Sequence, residues 1–175
     1  MNCKIIYNDL SIWCNFYSMP LNLKSFIRFF IKYPEFRRLI DFRLKSMKLM
    51  SILRLVTYPT SITHNLYIKI SKQMGGVMFH HGFSTIINCK SIGNNVHIYQ
   101  QVTIAMTESG RATIGDDVII YPGAKIIGNV NIGNDVIIGA NAVVVKDIPD
   151  HSIVAGVPAK IIKTRNTRAD NWSKV

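Results

Sequence analysis

Cysteine, acidic residues and long apolar runs are scarce in this sequence, and each shortage excludes a class of protein. Three cysteines in 175 residues, with no CxxC pair and no cysteine–histidine spacing typical of zinc ligands, indicate neither a disulfide framework nor a metal site. No stretch approaches the roughly 18 to 20 apolar residues of a membrane-spanning helix. The N-terminus lacks the basic and apolar segments of a secretory signal. We therefore expect a cytoplasmic protein that binds no metal.

Basic residues outnumber acidic ones, with 21 Lys and Arg against 10 Asp and Glu, which gives a formal net charge of +11. Such an excess suits nucleic acid, an anionic membrane surface or a phosphorylated ligand. Most of the excess lies in residues 1–73, where Asp9, Glu35 and Asp41 are the only acids. The sequence contains no helix-turn-helix, zinc-finger or RNA-binding signature, so we expect no nucleic-acid partner.

An aliphatic residue recurs at every sixth position across residues 86–144, with four extra residues inserted once. The series is Ile86, Ile92, Ile98, Ile104, Ile114, Ile120, Ile126, Ile132, Ile138 and Val144. Triplets of Gly followed by Asn or Asp recur between them, and these residue types tolerate tight corners. A period of six predicts a parallel β-helix of hexapeptide repeats rather than a β-sandwich. The expected stacked columns are Ile92, Ile114 and Ile132; Ile98, Ile120 and Ile138; and Ile104, Ile126 and Val144.

The N-terminal part is expected to be helical. Pro34 and Glu35 are residue types that begin helices, and apolar residues follow at helical spacing: Phe36, Leu39, Ile40 and Leu44. The opposite face of this helix is predicted to be basic: Arg37, Arg38, Arg43 and Lys45. Two further segments have the same mixture of apolar and basic residues and are also predicted to be helical: Lys24–Lys32 and Lys48–Val56. Helices of this kind dock on the β-helix, on another subunit or on an anionic membrane surface, and the sequence does not distinguish among these three alternatives.

The run from Gly76 to Ile162, which ends in IGANAVVVKDIP and AGVPAKII, resembles the left-handed β-helix hexapeptide acyltransferases in their serine acetyltransferase-like branch. The resemblance implies a left-handed parallel β-helix over residues 65–163, preceded by a helical region over 1–64 and followed by a tail over 164–175. It also implies a homotrimer with sites between subunits, and transfer of acetyl from acetyl-CoA to a hydroxyl. The segment YPEFR, Tyr33–Arg37, resembles the lead-in of members that act in surface polysaccharide synthesis.

The resemblance assigns roles to individual residues. His81, in the motif GVMFHHG, matches the catalytic histidine, and an imidazole suits a general base at neutral pH. Backbone positions expected along the pantetheine arm of CoA are Ala105, Met106 and Ala140. Lysines expected near the CoA phosphates are Lys146, Lys160 and Lys163. Candidate acceptor-binding residues are His80, Glu108 and Arg111, although a solvated turn explains Glu108 and Arg111 equally well.

The departures from serine acetyltransferase all concern the acceptor. His80 stands where that enzyme has Asp, and the acid that orients the catalytic histidine aligns near Leu66. Arg111 follows Gly110, so the second histidine of the family's Arg-His pair is missing. These losses favour a sugar hydroxyl over L-serine as acceptor, and they leave a backbone carbonyl or Glu108 to orient His81.

The sequence therefore predicts an acetyl-CoA-dependent O-acetyltransferase that modifies a sugar of a bacterial surface polysaccharide or its precursor. It is expected in the cytoplasm, with peripheral contact at the inner membrane through the basic helices as one of the open docking alternatives. Serine O-acetyltransferase of cysteine biosynthesis is the alternative within the family. A non-catalytic β-helix scaffold or binding module is the alternative from a different class.

Overall fold

Three helices precede a parallel β-helix in the computed structural model, which describes residues 2–44, 65–73 and 75–175. The helices are α1 (Asn2–Phe16), α2 (Leu23–Lys32) and α3 (Pro34–Leu44). The strands are β1 (Leu66–Gln73), β2 (Val77–Phe79), β3 (Thr85–Ile92), β4 (Val96–Ile98), β5 (Thr103–Ala105), β6 (Thr113–Ile114), β7 (Ile119–Ile120), β8 (Lys125–Ile127), β9 (Asn131–Ile132), β10 (Ile137–Ile138), β11 (Val143–Val144), β12 (Ser152–Ala155), β13 (Lys160–Thr164) and β14 (Ser173–Lys174).

Equivalent strands of successive coils pair in parallel and form the three faces of the prism. One face contains β5, β8 and β11, the second contains β4, β7 and β10, and the third contains β6 and β9. The residues of all three predicted columns are register partners and lie in one buried core, which confirms the hexapeptide repeat: Ile92, Ile114, Ile132; Ile98, Ile120, Ile138; Ile104, Ile126, Val144. Parallel ladders satisfy the backbone, while the apolar columns couple one coil to the next.

The predicted register is wrong at the first hexad. Ile86 is 44% exposed, and its neighbour Ile87 is buried and pairs with Ile104. The reason is that β3 is one continuous strand, which pairs first with β5 and then with β6. Side chains alternate along such a strand, so Thr85, Ile87 and Cys89 point inward and the six-residue spacing does not apply.

The Gly-Asn/Asp triplets form the corners between the second and third faces, as predicted. Asn95, Asp117 and Asp135 have φ of 54°, 57° and 55°, a left-handed conformation that Asn and Asp tolerate better than most residues. The preceding Asn or Asp of each triplet joins the coils, because its backbone N–H donates to the side chain one coil later: Asn94 to Asp116 (2.7 Å), Asp116 to Asn134 (2.8 Å) and Asn134 to Asp150 (2.7 Å).

The helices dock on the first coils of the prism. Trp13 of α1 is fully buried against Phe29 of α2 and Phe36 of α3, and its indole N–H donates to the carbonyl of Val77 in β2 (3.4 Å). This confirms the helices predicted at Lys24–Lys32 and from Pro34. Helix α1 lies within the region expected to be helical, although no bounds were predicted for it. The piece predicted over Lys48–Val56 lies outside the described residues. None of the described helices is long and apolar enough to cross a bilayer.

One residue of the predicted solvent-facing side of α3 is buried instead. Arg43 donates from Nε and Nη2 to the two carboxylate oxygens of Asp9 in α1, at 2.8 and 3.0 Å, and both side chains are inaccessible to solvent or nearly so. Asp9 also accepts from the backbone N–H of Val77 (2.9 Å). Helical spacing alone places Arg43 opposite the apolar face, but the carboxylate supplied by α1 provides the counter-charge that its burial requires.

The C-terminal residues 164–175 are held to the prism rather than free of it. Strands β12, β13 and β14 pair in antiparallel fashion. Arg165 donates to both carboxylate oxygens of Asp135, and its guanidinium lies over the ring of Trp172, 4.1 Å from the centroid. Burial raises the pKa of Asp135, but hydrogen bonds from Arg165 and His151 outweigh it and hold the pKa below its usual range. The ionised Asp135 thus anchors this segment.

Candidate active site

His81 lies at the corner between β2 and β3 and is exposed. Its φ is 54°, and the backbone N–H of Phe83 donates to its carbonyl. The N–H of Gln101 donates to the carbonyl of Phe83 (3.1 Å), which ties this corner to the next coil. The corner is longer than the equivalent one between Tyr99 and Thr103, so His81 stands on a widened edge of the prism. Among the described residues, no side-chain hydrogen bond holds the His81 ring.

His80 has a different environment from its neighbour. Its ring is buried, stacks on Tyr99 with centroids 4.2 Å apart, and meets the edge of Phe16 at 4.6 Å. Its Nε2 lies 3.0 Å from Nδ1 of His97, so one of these nitrogens donates and the other accepts. Burial, followed by the nearby His97 and His81, lowers the pKa of His80 to about 4. His80 is therefore neutral at pH 7, and its predicted acceptor-binding role stays a prediction.

The four extra residues form a loop at the end of β5, as predicted. Thr107 and Gly110 exchange two backbone hydrogen bonds of 3.0 Å and close a tight turn that exposes Glu108. Arg111 is partly buried and interacts electrostatically with Cys89. Strands β3 and β5 pair in parallel on one face of the prism. His81 comes before β3, at the start of this face, and the loop comes after β5, at its end. Within one chain, the structure does not bring Glu108 or Arg111 to His81.

The cofactor candidates divide into two groups. Lys146 and Lys160 line a groove of about 340 Å³ between residues 144–146 and 158–161. Ala105 is the last residue of β5 and Met106 follows it. Both lie on the same edge of the prism as Lys146, because β5, β8 and β11 are neighbours in one sheet. Ala140 instead precedes β11 at the opposite edge, and Lys163 lies on β13 outside the groove lining. The groove offers two ammonium groups, which suit the phosphates of a CoA-like ligand.

An acidic side chain that was not among the predicted site residues packs against Gly82, the residue that follows His81. Glu35, in the first turn of α3, is 7% exposed. Its Cγ lies 3.2 Å from the position that a Cβ on Gly82 would occupy, and Leu66 is equally close to that position. The Pro34–Glu35 pair was a signal only for a helix start, because nothing in the sequence indicates that α3 packs on the corner of β2. In the described ranges, no cluster of His, Cys, Asp and Glu suits a metal ion.

Comparison with known proteins places this architecture among bacterial transferases. The family described as "Bacterial transferase hexapeptide (six repeats)" matches residues 111–146. The chain is 38% identical over 137 residues to the serine acetyltransferase of Staphylococcus xylosus, covering 74% of this chain and 63% of that protein. It is 41% identical over 106 residues to the serine acetyltransferase of Staphylococcus aureus strain Mu50, covering 57% and 48%. The chain thus spans about half to two thirds of the length of these curated relatives.

Solved structures agree with the sequence comparison. The serine acetyltransferase of Neisseria gonorrhoeae in complex with serine superposes with a TM-score of 0.65 at 26% identity, over 91% of this chain and 68% of that one. A serine acetyltransferase in complex with CoA gives a TM-score of 0.67 at 24% identity, over 92% and 69%, a likeness that establishes the fold. These two alignments span about nine tenths of this chain.

Proposed function

The chain belongs to the hexapeptide-repeat transferases, and from that premise we propose that it moves an acetyl group from acetyl-CoA to a hydroxyl. The observation that carries the proposal is the exposed His81 at a widened corner of the prism. His81 precedes the face formed by β3, β5, β8 and β11, and this face ends at the edge where Lys146 and Lys160 line a groove. A base and a phosphate-binding groove on one prism are what transfer from CoA to a hydroxyl requires. A scaffold has no use for either.

The reaction proceeds in one ternary complex. The His81 ring accepts the proton of the acceptor hydroxyl as its oxygen attacks the thioester carbon. Backbone N–H groups along the groove stabilise the oxyanion, a contribution typically worth several kcal/mol. The tetrahedral intermediate collapses, the CoA thiolate leaves, and it recovers the proton. His80 does not compete as the base, since its pKa of about 4 and its aromatic stack leave it a poor proton acceptor at neutral pH.

The acceptor that the relatives favour is L-serine, the substrate in the names of the curated proteins and in the complex of the gonococcal enzyme. The comparisons thus support the alternative better than the polysaccharide function. A homotrimer is part of the proposal, because His81 and the loop over residues 106–112 lie at opposite ends of one face. A neighbouring prism that presents its loop to His81 would complete the site.

A sugar hydroxyl stays the second candidate acceptor on one specific observation. His80, which stands where the serine enzyme has Asp, is buried in an aromatic stack, and Leu66 replaces the orienting acid. The described corner therefore lacks two carboxylates that the resemblance ascribes to serine acetyltransferase. The His80 difference bears on the identity of the acceptor, and the Leu66 difference removes the acid that would orient His81.

The test is CoA thiol release from acetyl-CoA, measured with L-serine in one set of assays and with nucleotide sugars and bacterial oligosaccharides in another. We expect release that depends on acceptor, with L-serine the stronger substrate. Release with a saccharide alone would instead assign the chain to polysaccharide modification. An absence of CoA binding in calorimetry would contradict the transferase proposal and leave the scaffold alternative.

Helix α2 supports a second part of the proposal, peripheral contact with an anionic membrane. Leu23, Ile27 and Ile31 are 71%, 49% and 71% exposed, one turn apart on the same face. Each is followed by an exposed cation, Lys24, Arg28 or Lys32, and α2 contains no acid. Apolar side chains in a row beside cations are typical of helices that lie in the interface of an anionic bilayer.

We expect the protein to sediment with vesicles that contain phosphatidylglycerol and to stay in solution with phosphatidylcholine alone. The double variant Ile27→Asp, Ile31→Asp should abolish sedimentation, because it places two anions on the exposed face. The control is Ile162→Asp, a change of the same kind at an exposed position of β13. Equal binding to both vesicle types, or a change in oligomeric mass of the α2 variant without loss of vesicle binding, would contradict membrane contact through this face.

A further inference from the structure

Two histidines, His80 and His97, form a largely buried, titratable contact where helix α1 packs on the prism. Nε2 of His80 lies 3.0 Å from Nδ1 of His97, and the two rings stack with their centroids 5.3 Å apart. Tyr99, from the same coil as His97, stacks on the other ring, that of His80. Phe16, at the C-terminal end of α1, lies against both imidazoles, with centroid distances of 4.6 and 6.2 Å. The end of α1 therefore packs directly on the histidine pair.

The hydrogen bond within the pair requires that at least one ring be neutral. A neutral imidazole has one N–H donor and one acceptor nitrogen, whereas an imidazolium has two donors and no acceptor. One added proton still leaves a donor and an acceptor at the 3.0 Å contact. A second proton removes the acceptor and places two cations side by side between Phe16 and Tyr99. Full disruption of the contact therefore takes two protons, and the two rings titrate as a coupled pair.

The surroundings of the pair oppose its protonation. Burial, followed by the nearby His97 and His81, lowers the pKa of His80 from 6.5 to about 4. Burial also lowers the pKa of His97, and the charge of Asp117 only partly offsets this effect. Tyr99 is uncharged at neutral pH, since burial raises its pKa above the ordinary value. Both imidazoles are therefore mainly neutral at pH 7, and α1 docks on an uncharged surface.

The acids of the neighbouring helices interact with other groups. Asp9 of α1 accepts hydrogen bonds from Arg43 and from the backbone N–H of Val77. Glu35 of α3 interacts electrostatically with Tyr17. Among the described residues, the charged groups that act on the two imidazoles are thus those of the prism itself, the adjacent histidine and Asp117.

We propose that the His80–His97 pair is an acid-sensitive latch, which holds the C-terminal end of α1 on the prism while both rings are neutral and releases it when the pair takes up two protons. The released state binds more protons than the docked state, so docking is strongest above about pH 6.5 and weakens as the pH falls towards 4. In this interval the docking equilibrium constant should fall by up to about 10-fold per pH unit for each histidine that gains a proton. The latch does not rest on the proposed function.

Trp13 can report the release, because its ring is fully buried and its indole N–H donates to the carbonyl of Val77. In the variant Trp172→Phe it is the only tryptophan of the chain. We expect its emission to shift to the red, and its quenching by acrylamide to increase, between pH 6.5 and 4, while the amides of β7 and β10 stay protected from hydrogen exchange. Unchanged emission over this interval would overturn the latch. Loss of strand protection at the same pH would overturn it too, because the whole chain would then be unfolding.

Two variants test whether the pair itself takes up the protons. His97→Gln stays neutral at every pH and can still hydrogen-bond to His80, so the pH dependence of release should fall from two protons to one. His80→Phe with His97→Phe removes both titrating groups and keeps aromatic rings against α1, so its midpoint should move down by at least one pH unit. The control His151→Asn removes a histidine far along the prism and should leave the midpoint unchanged.

Either variant can contradict the latch. An unchanged midpoint in the double variant would overturn the proposal and assign the release to another group that holds α1 to β2, such as Asp9. If the double variant does not fold, His97→Gln decides, since a release that still takes up two protons would equally overturn it.

Discussion

Replacing His81 with asparagine is expected to lower acetyl transfer by about 10²- to 10⁴-fold, the usual contribution of a general base. Asparagine is the informative substitution, because the φ of 54° at this corner is strained for alanine and tolerated by asparagine. CoA affinity measured by calorimetry should be unchanged, since the lysine groove lies at the other edge of the prism. The measurement is thiol release at saturating acetyl-CoA.

The chain offers a matched control for this variant. His151 has the same φ of 54°, at a corner near the C-terminal end of the prism, and its ring bonds to Asp135. His151→Asn therefore makes the same substitution at a residue with the same backbone conformation, away from the candidate site. This variant should keep full activity. If His81→Asn retained wild-type rates, the base would have to be another group.

The prism was predictable because every coil places the same packing and backbone requirements on residues that are close together in the sequence. A slot such as Ile98 needs an aliphatic side chain in every coil, and a corner such as Asn95 needs a residue that tolerates positive φ, so both constraints recur in the sequence. The prediction failed at Ile86, where β3 runs through a corner without turning and strand alternation replaces the period of six. Periodicity identifies the repeat, and only pairing with β5 and β6 reveals where the repeat is interrupted.

The candidate site was predictable where a single segment carries it and unpredictable where distant segments meet. His81 and the loop at Glu108 are each part of the repeat or its insertion, and the sequence indicates both. Glu35 reaches Gly82 through the packing of α3 on β2, a contact between residues far apart in the chain that no local pattern encodes. The same reason explains why Arg43 was expected in solvent, since its partner Asp9 belongs to another helix.

The buried Asp9–Arg43 pair leads to the largest expected effect on stability. Asp9→Asn should lower the free energy of unfolding by about 3 to 5 kcal/mol, because it leaves a buried guanidinium without the carboxylate that two of its nitrogens contact. The measurement is urea unfolding followed by circular dichroism. The exposed pair between Arg168 and Asp117 is the control, and Arg168→Met should cost no more than about 1 kcal/mol.

A double variant separates the charge from the packing. Asp9→Leu with Arg43→Met removes both charges and keeps apolar volume, so it should be more stable than Asp9→Asn alone. A double variant as unstable as the sum of its single changes would mean that the hydrogen bond from Val77 to Asp9, not the ion pair, holds α1 to β2. Because α3 packs against β2, the strand that precedes His81, loosening the pair should also lower activity at temperatures where the β-helix is still folded. That loss would follow the melting of α1 and α3 rather than that of the prism, as measured by hydrogen exchange in the two regions.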